Sequence, residues 1–132
     1  MKMEKCFVVD IVNDAAALIE KEGKNAFSAL RDKSGPFVFM DTYVFVDTPQ
    51  GIELVNPAFP NLEGTNFMDY KDSTGKFLAR EYITLALNKG AGWIDYLWPK
   101  PGESTPSRKQ TYVRKVVHGN ETFIVGSGAY LE

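Results

Sequence analysis

The sequence is poor in the residues that most enzyme and metal sites are built from. It holds one cysteine, Cys6, and one histidine, His118. A single cysteine closes no disulfide within the chain, so it says nothing about redox compartment. Cys6 reads as a small apolar residue on a helix. A Cys/His zinc site needs more ligands than this and is excluded; no metal site is expected. His118 sits beside Gly119 in an expected turn and reads as solvated. No histidine is placed to activate Ser127, and no Gly-x-Ser-x-Gly elbow is present. Gly126-Ser127-Gly128 is too short for a dinucleotide fingerprint and Walker-type lysine spacing is missing, so no cofactor is expected. Asp69, Asp72 and Asp95 are the acids to consider for paired carboxylates, but acids at strand ends and turns are usually solvated or capping. An enzyme is not expected.

Charge of one sign is also scarce. There are 15 basic and 17 acidic residues, a net charge of −2, and no long run of either sign. This argues against nucleic acid as a partner. No stretch approaches the roughly eighteen apolar residues of a membrane span. The opening MKMEKCFVVDIVND has basic residues before an apolar patch, but Asp10 interrupts the patch and no small-residue cleavage site follows. It does not read as a convincing signal peptide. A cytoplasmic protein and a fragment cut from an exported one both remain open.

What is present is one domain's worth of alternating patterns. At 132 residues, one core is expected. Over residues 4–22, Phe7, Val8, Ile11, Val12, Ala15, Leu18 and Ile19 recur at helical spacing, and Gly23 suits a C-terminal stop. Val9, Ala16 and Ala17 widen the apolar stripe, which suits either burial in its own fold or pairing with a second copy. A short helix follows, with Asn25 as its cap and Ala26, Phe27, Ala29 and Leu30 facing inward. After the turn at residues 33–36 the period changes to that of strands: residues 37–46, a turn at 48–51, and a return at 52–55 as an antiparallel hairpin. Residues 56–66 hold two prolines and three asparagines and predict a long loop. Phe59 and Leu62 are costly to leave in water, so the loop is either pinned to the core or a binding wall. A third helix is expected over 76–88, then strands near 93–98, 109–117 and 122–130. Gly126 and Gly128 mark a bend or a close approach. This order predicts an α+β domain: one antiparallel, five-stranded sheet with helices against one face.

Residues 90–102, GAGWIDYLWPKPG, hold both tryptophans, Trp93 and Trp98, and end in Pro99-Lys100-Pro101. Strand alternation puts Ile94, Tyr96 and Trp98 on one face and Trp93, Asp95 and Leu97 on the other. Lys100 follows Trp98 on a stiff stalk, and Lys109 opens the next strand, three residues before Tyr112. An aromatic pocket with one or two lysines and tyrosine hydroxyls suits a small carboxylate. Lys100 reads equally well as a solvent-facing lysine.

In combination, FVFMDTYVFVDTPQGIELVNPAFPNLEGTNFMDYKDSTGKF, GAGWIDYLWPKPGESTPSRKQTYVRKV and FIVGSGAYLE resemble the cache sensor domains, in particular the small single-cache type. The resemblance covers most of residues 24–132. It implies a single cache domain over 1–132, with an N-terminal helical segment at 1–33 and a PAS-like body at 34–132. It implies a pocket between the long loop and the central strands, walled by Tyr43, Phe45, Phe59, Tyr96 and Trp98, with Lys100, Lys109 and Tyr112 as polar contacts. The family usually serves as the extracytoplasmic sensor of chemoreceptors and histidine kinases, and often recognises short carboxylates. A small organic ligand, a homodimer through the N-terminal helix and a downstream signalling protein are the partners this implies. The competing expectation is a protein–protein interaction module with no small-molecule ligand.

Overall fold

A computed structural model describes residues 4–131. Helix α1, Lys5–Glu22, is followed by a 3-10 turn at Gly23–Ala26 and by α2, Phe27–Arg31. Six strands follow: β1 Val38–Phe39, β2 Thr42–Asp47, β3 Glu53–Val55, β4 Ala91–Pro99, β5 Pro106–His118 and β6 Glu121–Tyr130, with helix α3, Leu78–Lys89, between β3 and β4. All ladders are antiparallel, in the order β1-β2-β6-β5-β4, and β3 lies along β2 beyond β1. The α+β class and the antiparallel sheet are as expected, with six strands in place of five. The sixth arises because Met40 and Asp41 turn the chain between β1 and β2. Met40 sits at φ 56°, a left-handed value uncommon outside glycine.

The helices do not share one face. α1 packs its stripe of Ile11, Val12, Ala15, Ala16 and Ile19 onto Val44, Val46, Val116, Phe123 and Val125. On the opposite face, Leu78, Ala79, Tyr82, Ile83 and Ala86 of α3 pack onto Phe45, Tyr96, Val113 and Ile124. The sheet is covered on both sides, which is why β2 is buried at every position. Two cores result, each fed by alternate residues of the same strands. Of the residues that widen the α1 stripe, Ala16 is buried in the domain, Val9 is half-buried and Ala17 is exposed. Asn25 makes no capping hydrogen bond, because α2 continues directly from the preceding 3-10 turn.

His118 is not in a free turn. Its Nδ1–H donates to the carbonyl of Glu20 at 2.8 Å. Its ring lies under Gly23, where a Cβ would come within 2.6 Å of the imidazole. The last turn of α1 is thereby tied to the end of β5. Among the described residues, no helix is long and apolar enough to cross a membrane.

Candidate functional site

On the α3 side, β2 presents Tyr43, Phe45 and Asp47, and β4 presents Tyr96 and Trp98. β5 presents Lys109, Thr111 and Val113, residues that alternate with positions facing α1. The loop of residues 56–77 closes over them. Tyr43, Phe45, Tyr96, Trp98, Lys109, Glu53 and Asn56 border one small cavity, with Phe67, Leu78 and Tyr82 behind. Its free volume is about 10 Å³. That is room for about one water.

Lys109 is the centre of this arrangement. It is 1% exposed, and burial pushes its ammonium down to about 7, with Glu53 opposing that shift. Its Nζ lies 4.6 Å from the ring centre of Tyr43, 5.4 Å from Phe45, 5.6 Å from Tyr130 and 5.9 Å from Tyr96. Such contacts offset part of the lost hydration. The ammonium has three N–H groups, and one of them makes a long hydrogen bond, 3.4 Å, to Tyr43 Oη. Gly128 makes room for the stem: a Cβ there would stand 2.7 Å from Lys109 Cε and 2.7 Å from the Gln110 carbonyl. A Cβ on Gly126 would meet the Phe45 ring at 2.3 Å. The two glycines mark close approach, not a bend.

The tyrosine hydroxyls around Lys109 are held in place. Trp98 Nε1 donates to Tyr43 Oη at 3.0 Å, Thr111 Oγ1 to Tyr96 Oη at 3.0 Å, and Tyr130 Oη to the Pro99 carbonyl at 2.6 Å. Burial keeps all three phenols well above their ordinary value, so they stay neutral.

Beneath the cavity lie two buried acids. Asp47 is 0% and Glu53 1% exposed, paired across the β2–β3 hairpin. Burial raises both, and the proximity of the two carboxyls raises Glu53 further. Each carboxyl bears on the other's proton: Glu53 works against the rise of Asp47, and Asp47 pushes Glu53 up. Tyr82 donates its hydroxyl to Asp47 Oδ2. Among the described residues, Asp47 Oδ1 and Glu53 Oε1 meet no donor.

The covering loop is pinned at several points. Glu63 accepts from the Asn56 amide at 2.9 Å and pairs with Arg31 at 3.0 Å. Asn56 Oδ1 accepts from the Phe59 amide at 2.9 Å. Phe59 stands edge-on to Trp98, 5.6 Å between ring centres, and is tilted against Tyr43 at 6.4 Å. Phe67 and Tyr70 close the other flank of Trp98 at 5.8 and 5.5 Å. Asp72 accepts from Thr74 and Lys76 and, through Oδ2, from the Leu97 amide at 3.1 Å. Burial pushes Asp72 up, but these hydrogen bonds outweigh it and hold the carboxyl below its ordinary value. Asp72 staples the loop to β4.

Of the residues expected at the pocket, Tyr43, Phe45, Tyr96, Trp98 and Lys109 line the cavity and Phe59 roofs it. Lys100 and Tyr112 are elsewhere. β4 ends at Pro99, and Lys100 begins a turn closed by the Glu103 amide on its carbonyl, outside the cavity lining. Tyr112 stands three residues from Lys109 on one strand, so it faces the other side of the sheet. There it packs on the α1 core and on Trp93, 5.3 Å between ring centres. Asp47, Glu53, Asn56, Phe67 and Tyr82 were not anticipated. Asp47 carried a signal, since it shares parity with Tyr43 and Phe45, and the hairpin turn places Glu53 opposite it.

The arrangement is suited to holding a small anion against a caged ammonium. A family model for the Cache domain matches residues 7–132. The methyl-accepting chemotaxis protein McpP of Pseudomonas putida is 30% identical over 92 residues, which is 70% of this chain and 16% of McpP. The sensor histidine kinase MctS of Rhizobium johnstonii is also 30% identical over 92 residues, 70% of this chain and 19% of MctS. The chain thus spans less than a fifth of the length of these relatives. A solved Cache chemosensory domain, described for its recognition of carboxylic acid, superposes with a TM-score of 0.81 at 27% identity, covering 95% of this chain and 91% of that one. With the family model matched over nearly its whole length, this chain belongs to the Cache domain family.

Proposed function

We propose that this chain is a non-enzymatic sensing domain that binds a short organic carboxylate between the central strands and the loop of residues 56–77. Lys109 carries this reading. It is a fully buried ammonium with one long hydrogen bond. Burying a charge with so few partners is expensive, and an anion would supply what is missing. Tyr43 and Tyr96 stand beside it as neutral hydroxyls, and Trp98 and Phe59 supply apolar walls for a short carbon chain. The similarity to a carboxylic acid-recognising Cache domain supports the same chemistry.

A cavity of about 10 Å³ has room for about one water and is too small for a carboxylate of several heavy atoms. Entry requires the roof of Phe59 and its loop to lift, so ligand selects a more open state or one re-closed around it. β5 carries Lys109 on the pocket side and Val116 on the α1 side. A shift of β5 on binding therefore reaches α1, the element expected to pass the state to a second subunit or a downstream signalling protein. The setting proposed is extracytoplasmic, in a chemotaxis or sensor-kinase system, with the 1–132 chain as one domain.

Thermal shift and calorimetry with acetate, propionate and pyruvate test this. At least one acid raises the melting temperature of the wild type by linkage and not that of Lys109→Met. A flat response to all three, or equal binding by Lys109→Met, overturns the assignment and favours a protein-interaction surface.

A further inference from the structure

β4 ends the sheet, and its free edge is treated differently along its length. Gly90 turns its carbonyl to the Lys115 amide of β5, so by alternation Ala91, Trp93, Asp95, Leu97 and Pro99 turn their backbone polar groups outward. From the Asp95 carbonyl onward that edge is closed. Lys76 Nζ donates to the Asp95 carbonyl at 2.6 Å, the Leu97 amide donates to Asp72 Oδ2 at 3.1 Å, and Pro99 has no N–H. Covering loops, charges and prolines are the usual means of keeping an edge from pairing further. Among the described residues, no hydrogen-bond partner meets the outward groups of Ala91 and Trp93. Beside this bare segment runs a groove of about 540 Å³, between Trp93 and Ile94 on β4 and Glu81, Leu85 and Lys89 on α3. Leu85 lies over Gly92: a Cβ there would stand 3.0 Å from its methyl groups.

We propose that this edge is a docking surface for a second copy of the chain, joined β4 to β4 in antiparallel register about a two-fold axis at Gly92. Ala91 of each copy then pairs with Trp93 of the other, which fills the outward N–H and C=O groups of both residues. Such pairing keeps the two α3 helices on one side of the joined sheet. α3 turns back at Gly90 and runs against β4, so the same axis sets Leu85 against Leu85 and brings Glu81 of one helix to Lys89 of the other. Asp95 falls opposite the same Lys89, two residues beyond the pairing. All three charges are exposed, and within one chain Asp95 and Lys89 make no ion pair among the described residues, while Glu81 makes only a long one, 3.8 Å, to Lys76. Charges that match across a two-fold axis are what an isologous contact requires. The loop at residues 72–76 sets the length of the pairing by stopping it at Asp95. A lone extended peptide would meet the same two open residues but bring no helix to match α3. α1 packs on β5, β6 and β2, so pairing through that helix would use another surface.

Sedimentation velocity on the whole chain between about 10 μM and about 1 mM, the range of weak interfaces, tests this. The wild type self-associates over that range. Ala91→Pro, which removes an outward N–H and no bond to β5, weakens the association about tenfold or more. Lys89→Glu makes the rim wholly acidic and the double variant Glu81→Lys/Asp95→Lys makes it wholly basic, so each loses the association alone. Mixed one to one, these two variants assemble with each other, because every charge then meets its opposite. A wild type that stays monomeric overturns the inference. So does a Lys89→Glu variant that associates as the wild type does, or a mixture that does not assemble. Amide exchange in the wild type needs no variant to fold: exchange at Ala91 and Trp93 slows about tenfold from the lowest to the highest concentration. Equal exchange at both concentrations overturns the inference as well.

Discussion

The two faces of one sheet are built to different rules. The α1 face is hydrocarbon: fifteen buried residues, from Ile11 to Val125, with no ionisable group among them. The α3 face uses the same strands, one residue out of step, and buries Asp47, Glu53 and Lys109 among tyrosines. Close-packed hydrocarbon stabilises without needing partners. Buried ions stabilise only when fully paired, and here they are not. The α1 face is therefore stabilised by hydrocarbon packing alone, whereas the α3 face combines an apolar core with buried ions that cost stability.

The sharpest way to break this contrast is to remove one large side chain from each face. Phe123→Ala empties the centre of the α1 core, where the ring packs edge-on against Phe27 at 5.7 Å. It should cost about 3–5 kcal/mol in denaturant unfolding. Lys109→Met removes both a desolvated charge and its attraction to the acid pair, which oppose each other. Its effect on unfolding should be smaller than that of Phe123→Ala, while carboxylate affinity falls on the order of 100-fold or more. If Lys109→Met unfolds the domain as severely as Phe123→Ala, the division between the faces fails.

The glycines of β6 sharpen the same contrast at lower amplitude. Gly126→Ala puts a methyl group 2.3 Å from the Phe45 ring, and Gly128→Ala puts one against a backbone carbonyl that cannot turn aside. Overpacking of this kind costs about 1–3 kcal/mol. Gly128→Ala also displaces the Lys109 stem, so its loss of carboxylate affinity should exceed that of Gly126→Ala. Calorimetry of the two folded variants compares them directly.

Much of this was legible in the residues. Helical spacing located α1 within a residue of its ends, and the third helix, expected over 76–88, runs over Leu78–Lys89. Alternation placed Tyr96 and Trp98 on one face, where they line the cavity. The errors have physical causes. Tyr112 and Lys109 were put in one pocket although an odd spacing on a strand separates faces. Lys100 was placed by its stiff neighbours, but a proline pair that ends a strand also ends its alternation. The helices were put on one face although Tyr43, Val44, Phe45 and Val46 run apolar without a break, the pattern of a strand covered on both sides. Asp47 and Glu53 went unremarked because acids beside a turn are usually solvated; only the tertiary cover of loop and α3 makes them buried.

Solution pH separates the two faces without removing any packing. The unfolded acids lose their protons near pH 4, whereas burial raises Asp47 to about 7 and Glu53 upward as well. Between about pH 4.5 and 7 the native state therefore binds more protons than the unfolded state, and stability falls as pH rises, by at most about 1.4 kcal/mol per pH unit for each proton. Lys109 acts in the opposite sense and later: its folded value of about 7 lies below its unfolded one, so its cost is full below pH 7 and lifts as pH rises toward 10. Glu53→Gln should gain on the wild type between pH 5 and pH 7 in urea unfolding. A constant difference across that interval would mean that Glu53 holds no proton at neutral pH.

The smallest expected effect lies in the charges of the α1 face, which are at its rim. Arg114 on β5 reaches Asn13 Oδ1 at 2.8 Å and Glu20 at 3.3 Å, tying the helix to the sheet. Its side chain is about one-third exposed and that of Glu20 about one-half, so water and salt share the interaction. Arg114→Met should cost less than about 1 kcal/mol, with the difference shrinking as salt rises to 0.5 M. Carboxylate affinity should not change, because Arg114 stands on the side of β5 away from Lys109. A large, salt-resistant loss would show that the α1 face, too, depends on a charge. An affinity change without a stability change would be more informative still, since it would mean that the contact of α1 with β5 already feels the state of the pocket.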